Sequence, residues 1–138
     1  MSEITREPMV VDAAPKPVGP YTHAVRVGNL LYLSGCGPID PKTGEVCRGT
    51  VEEQTRVVLN NLKIVCEAAG TGFENAVKVL AFLKDFNDFD AYNKAYGEFF
   101  KYDGNAPARS TIEANLWGGI LVEIEMVVFV PDSACCCK

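Results

Sequence analysis

The sequence predicts an α+β fold: one mixed sheet with two helices packed on one of its faces. Three observations predict it. Two segments place apolar residues at helical spacing between a capping residue and a closing glycine, Thr50 to Gly70 and Asn87 to Gly104. Short β-rich runs lie before, between and after them, so strands and helices share one layer system rather than forming separate halves. The length, 138 residues without internal repeats or a low-complexity linker, suits a single core.

Residues 1–14 read as a flexible segment, and the domain core is expected over about 19–130. "AAPKPVGPY", with Pro15, Pro17, Gly19 and Pro20, cannot be a regular element and reads as an extended leading loop. In "THAVRVGNLLYLSG", Val25, Val27, Leu31 and Leu33 flank Gly28-Asn29, a hairpin signal. "PIDPKTGEV" holds Pro41 and Gly44 and reads as a turn followed by a short strand. The first helix opens on a capping box, Thr50 with Glu53 three residues on. Gln54, Val57, Val58, Asn61, Leu62 and Val65 then keep helical spacing to Gly70. Val77 to Leu83 has apolar residues on both faces and reads as a central strand covered on both sides. "NDFDAYNKAYGEFFKY" predicts a second helix capped by Asn87 or Asp88, lined by Phe89, Tyr92, Tyr96, Phe99 and Phe100, and stopped by Gly104. Strands over Arg109 to Ala114 and Leu121 to Val130 finish the domain, and 131–138 is a cysteine-rich tail. A sheet with helices on one side leaves its other face open, and an apolar open face calls for a partner subunit.

Apolar residues make up 48% and charged ones 22%, an ordinary globular balance. A net charge of -5 and a pI near 4.9 argue against a protein built to grip phosphate backbones. No run approaches the ~20 apolar residues of a membrane helix, and "MSEITREPMVVDAAP" lacks a signal-peptide core, so a cytoplasmic address is expected. Six cysteines form no C-x-x-C pair and His23 is the sole histidine, so neither a zinc site nor a disulfide framework is expected. Cys36, Cys47 and Cys66 read as reduced thiols, and Cys135, Cys136 and Cys137 as exposed tail thiols. No G-x-G-x-x-G and no Walker loop is present, and no cofactor is expected.

The residues able to do chemistry centre on Arg109, at the start of a strand behind Pro107 and Ala108. Arginine is seldom buried without a partner. Two readings stand: Arg109 pairs with Glu123 or Glu113 across neighbouring strands, or its planar fork awaits the carboxylate of a ligand. Glu123 and Glu125 alternate with Val122, Ile124 and Met126, so both point to one face, where they need cations, solvent or a task. A glutamate near Arg109 could act as a general base on water. Tyr21 and Ser34 sit at loop and strand ends where hydroxyls commonly meet ligands, although for either alone an ordinary local hydrogen bond is the use expected first. Cys36 reads as a small buried thiol, His23 as a surface or rim residue, and Tyr92 and Tyr96 as packing side chains with polar tips.

"GPYTHAV", "LYLSGCGPIDPKTGEV", "NNLKIVCEAAG", "VKVLAFLKDFNDFDAYNKAYGEFF", "PARSTIE" and "VEIEMVVF" occur in that order. Together they resemble the Rid family of reactive imine deaminases, also known as YjgF or L-PSP endoribonuclease proteins, over about Gly19 to Val130. The resemblance implies a chorismate-mutase-like fold, a homotrimer with ligand sites between subunits, and hydrolysis of 2-aminoacrylate and related imines to 2-oxo acids and ammonia without a cofactor. It implies that Arg109 binds the substrate carboxylate and that Glu123 activates or orients water. Tyr21, Ser34, Asn93 and Thr111 would line the substrate pocket. The alternatives it carries are an endoribonuclease or translation inhibitor acting on RNA, and a non-catalytic ligand-binding trimer. The chain departs from the family pattern at Thr22-His23, at Cys36 in place of a glutamine, at Thr111 in place of a cysteine, and in "NLWGGIL", which brings in Trp117.

Overall fold

Helix α1, Val51–Ala68, forms where the sequence places it, and its ends show why. The Thr50 hydroxyl accepts a hydrogen bond from the Glu53 backbone N–H at 3.2 Å, which closes the first turn. Gly70, at φ 80°, turns the chain out of the helix, with Thr71 N–H bonded back to Cys66 O. One face of α1 buries Val58, Leu59, Leu62, Val65 and Cys66. Gln54 and Asn61 are buried on that face as well, and both are satisfied. Gln54 donates to Gly49 O at 3.0 Å and accepts from Leu121 N–H at 2.9 Å, and Asn61 donates to Ile39 O at 2.7 Å. An unpaired amide there would cost about 1–3 kcal/mol.

The computed structural model describes residues 3–132; Cys135, Cys136 and Cys137 lie outside the described residues. Six strands make one mixed sheet: β1 (Arg6–Met9), β2 (Ala24–Val27), β3 (Leu30–Cys36), β4 (Ala76–Leu83), β5 (Ala108–Glu113) and β6 (Val122–Phe129). Their spatial order is β1-β2-β3-β6-β4-β5. β4 and β5 are parallel, and every other neighbouring pair is antiparallel. Helix α2, Phe89–Tyr96, supplies the crossover from β4 to β5 that a parallel pair requires. Leu31 and Leu33 of β3, Val122, Ile124 and Met126 of β6, and Val79, Ala81 and Leu83 of β4 point to the helices and are buried with them in one core. The alternate residues form the other face, where Val27, Leu30, Tyr32, Ile112 and Phe129 are exposed. An exposed apolar face of this kind is the one the sequence called for.

The structure corrects several expectations. Within the segment expected to be flexible, residues 3–14 are not a loose leader: β1 pairs with β2, and Val11 and Ala14 are buried in the core. Pro8 hid the strand, since proline is tolerated only at an edge, and β1 is the edge. His23 is not a rim residue but a fastener for this segment. Its Nδ1 accepts from Val11 N–H at 2.9 Å, so its Nε2 carries the proton, donated to Pro15 O at 2.7 Å. The second helix ends at Tyr96, not near Gly104, because Gly97 caps it; Phe100 still packs into the core, its ring 4.7 Å from that of Tyr96. Its start carries no side-chain cap, the Asp85 carboxylate serving Asn87 N–H in the preceding turn instead. The short strand after the Pro41 turn is a single bridge between Ile39 and Val46. β4 has strands on both sides, yet only its helix-facing residues are fully covered; Lys78 is exposed and Leu80 and Phe82 are half-buried.

Two outcomes follow from these contacts. Thr50→Ala removes the cap of α1 and should lower stability by about 1 kcal/mol in chemical unfolding. The Cys36 and Cys66 thiols are both pushed up to about 12, first by burial and then by nearby acids. At pH 8 the thiolate fraction of each is on the order of 10⁻⁴, so native protein should resist iodoacetamide at both sites while urea-unfolded protein reacts. Because folding raises these values above the ordinary one near 9, the neutral thiols' contribution is complete below that pH and fades as pH climbs toward 12. Mass-spectrometric mapping of the label checks the first point, and unfolding curves across that window check the second.

Candidate active site

Arg109 enters β5 behind Pro107 and points to the helix-covered side of the sheet, as its partner Val79 does. There it meets α2. Phe89, Tyr92 and Tyr96, spaced three and four residues apart, present their rings to it, with the guanidinium carbon 5.8, 5.5 and 4.5 Å from the ring centroids. Such contacts attract a cation without neutralising it, each by about 0.5–2 kcal/mol. Asn93, on the same helix, accepts from Arg109 Nη1 at 2.8 Å. Neither glutamate proposed as an internal partner reaches the arginine: Glu113 accepts from Phe86 N–H at 2.8 Å, and Glu123 is engaged elsewhere. Among the described residues the salt bridge found is a surface one, between Arg56 and Glu98. Arg109 therefore keeps its charge and most of its donors, beside an open cleft lined by Asn93, Tyr96, Lys101, Tyr102 and Pro107.

Three buried hydroxyls on this side of the sheet, those of Tyr92, Tyr96 and Thr111, are without a well-formed hydrogen bond among the described residues. The Tyr92 hydroxyl faces Thr111 and Arg109. Burial pushes both tyrosines above the usual phenol range, against the opposing pull of the Arg109 charge, so both remain protonated donors. Sequence reasoning read these tyrosines as packing; the i, i+3, i+4, i+7 spacing of Phe89, Tyr92, Asn93 and Tyr96 was the available signal that they share a face with Asn93.

Glu123 occupies a second cluster, on the opposite face of the sheet. It pairs with Phe82, three residues along β4 from the Val79 that pairs with Arg109, and an odd offset along a strand changes the face. Its Oε1 accepts from the indole N–H of Trp117 at 3.0 Å. Its Oε2 lies where a side chain on Gly35 would stand, only 2.7 Å from an added Cβ. A bulge brings Gly35 there. Leu33 pairs with Met126 and Cys36 with Ile124, so β3 carries one extra residue across this step. Tyr21, Ser34, Gly35 and Cys36 also line a small cavity of about 40 Å³ against α1. The Ser34 hydroxyl is spent on Thr22 O at 2.6 Å, and the Tyr21 oxygen accepts from Val18 N–H at 3.1 Å, which leaves the tyrosine proton free. The negative charge of Glu123 adds to burial in holding the Cys36 thiol neutral.

The residues singled out from the sequence thus fall into separate sets. Arg109, Asn93 and Thr111 come together under α2; Tyr21 and Ser34 line the small cavity against α1, and Glu123 stands beside Gly35 on the other face. Gly35 escaped sequence reasoning, and an S-G step inside a strand was the one hint of a bulge. Among the described residues no three His, Cys, Asp or Glu side chains are grouped to hold a metal ion, and no helix is long and apolar enough to cross a membrane.

Comparison with known proteins agrees with this architecture. A family model described as Endoribonuclease L-PSP matches residues 11–130. A RutC family protein of Pyrococcus horikoshii is 43% identical over 90% of this chain and 98% of its own. A 2-iminobutanoate/2-iminopropanoate deaminase of Dermatophagoides farinae is 42% identical over 85% of this chain and 91% of its own. Among solved structures, the YjgF gene product of E. coli superposes with a TM-score of 0.82 at 40% identity, covering 89% of this chain and 98% of that one. E. coli TdcF, solved with bound serine, gives a TM-score of 0.84 at 31% identity, covering 91% and 99%. With the sheet order, the two helices and nearly the full length accounted for, this chain belongs to the Rid family, the YjgF or L-PSP endoribonuclease group.

Proposed function

We propose that the protein hydrolyses small 2-imino acids, such as the imine form of 2-aminoacrylate, to 2-oxo acids and ammonia. The observation that carries this reading is the state of Arg109: a guanidinium set among three rings, with a neutral amide as its hydrogen-bond partner and no carboxylate against it among the described residues. Such a group suits an α-carboxylate, which its planar fork can hold with two parallel bonds. The deaminase name of one relative and the serine bound to TdcF, an amino acid with the same carboxylate, support the same substrate class.

The chemistry needs little beyond this. With the substrate carboxylate on Arg109, Glu123 accepts a proton from water as the water oxygen attacks the imine carbon. The resulting tetrahedral carbinolamine takes that proton on nitrogen; its hydroxyl proton then passes by way of the Glu123 carboxylate to the nitrogen as the C–N bond breaks and the C=O bond forms, and ammonia and the 2-oxo acid leave. Atoms and charge balance with water as the sole co-reactant. Arg109 and Glu123 point to opposite faces of one sheet, so a single substrate meets both only if they come from different copies. The exposed apolar face with Val27, Leu30, Tyr32, Ile112 and Phe129 favours such an assembly, and a cytoplasmic homotrimer with sites between subunits is the proposed form. The net charge of -5 disfavours RNA as substrate, since a nuclease groove is expected to be basic.

The test is a coupled assay in which a pyridoxal-phosphate enzyme generates 2-aminoacrylate and pyruvate release is followed. Wild type should accelerate release over buffer; equal rates with and without protein would contradict the proposal. Arg109→Lys keeps the charge but loses the fork, and should cost about 2 kcal/mol or more, roughly 30-fold in kcat/KM and in 2-oxobutyrate affinity. Glu123→Gln should lower kcat while 2-oxobutyrate binding stays near wild type, because it removes a base and not an anchor.

A further inference from the structure

We infer that Trp117 is a positioning residue that fixes the direction of the Glu123 carboxylate, an inference that rests on the deaminase reading for its catalytic use. The indole N–H donates to Glu123 Oε1 at 3.0 Å. It is a donor only, so it holds one oxygen of the carboxylate and leaves Oε2 free of that bond. Oε2 in turn sits in the space left by the missing side chain of Gly35.

The ring itself is held on several sides. A Cβ on Gly37 would meet Trp117 Cζ2 at 3.0 Å, so the indole lies directly on the backbone just past the end of β3. The loop that carries it turns through Gly118 and Gly119, at φ 60° and 73°, a pair of conformations glycine adopts without strain. Arg48 Nη1 donates to Gly118 O and ties that loop to the start of α1. Gly35 of β3 and Gly37, one residue past its end, therefore make room for the two members of one hydrogen-bonded pair. A tryptophan that merely rested on the surface would require neither gap. Fixing the carboxylate matters for a base acting on a water, because a small error in its direction lengthens the proton transfer.

The chain has a single tryptophan, so its one indole N–H resonance reports on this contact without assignment. That resonance should move in Glu123→Gln and again when 2-oxobutyrate binds. Trp117→Phe, and Trp117→benzothienylalanine, which keeps the ring shape but replaces N–H by sulfur, should both lower kcat about 10-fold, with KM, 2-oxobutyrate affinity and melting temperature close to wild type. A purely structural tryptophan would instead lower the melting temperature and leave kcat of the folded enzyme unchanged. The inference is overturned if the indole signal ignores Glu123→Gln, or if the benzothienylalanine variant matches wild type in kcat. A wild type without imine turnover whose indole signal still follows Glu123→Gln would overturn the deaminase reading and the catalytic use of Trp117, while the orientation of the carboxylate by the indole would stand.

Discussion

The alternation of side chains along a strand is the constraint from which the rest of this structure follows. Because β4, β5 and β6 are in continuous register from Val79 to Leu83, every second residue on each goes to the helices and the others to the open face. Val79, Met126 and Arg109 share the first side; Phe82 and Glu123 share the second. An arginine on a helix-covered face has to be accommodated by what the helices offer. On the face that meets Arg109, helix α2 offers rings and an amide, while its one acid, Asp90, is exposed. The cation is thereby stabilised in place while its charge stays available. A carboxylate on that face of α2 would have bound Arg109 more firmly and left it little to offer a ligand. The same alternation keeps Glu123 out of reach, and so makes the proposed site incomplete in a single copy.

The Glu123 corner depends on small residues rather than large ones. A bulge in β3 places Gly35 and Gly37 so that the carboxylate and the indole can both approach the backbone. Gly35→Ala would set a methyl 2.7 Å from Oε2, closer than any unstrained contact, so the carboxylate would have to turn. The neighbouring thiol of Cys36 is held protonated by burial and by that same acid, which makes it a packing group and not a nucleophile at neutral pH.

Much of the fold was legible in the sequence, for identifiable reasons. The hairpin at Gly28-Asn29, the Thr50 cap with its Gly70 stop, and the alternating run of β6 are local signals, complete within a few residues. What was missed depends on distant partners. Strand β1 carries a proline that only an edge position allows, and edge positions are a property of the whole sheet. The early end of α2 reflects Gly97, while Phe99 and Phe100 keep the apolar content of a helix because they pack against Phe73 from non-helical turns. At the site, spacing suggested that Arg109 and Glu123 mattered but left open whether they pair. Only the register, which sends them to opposite faces, removes the pair.

The central claim is that Arg109 of one copy and Glu123 of another complete one site. It is tested most directly by co-expressing Arg109→Ala and Glu123→Gln chains with different affinity tags and assaying the doubly purified mixed oligomers. Each parent alone should be inactive toward the imine. If sites form between copies, one of the three sites in each mixed trimer has both intact residues, and turnover should return to about a third of the wild-type rate. Mixed oligomers as inactive as either parent would contradict the account.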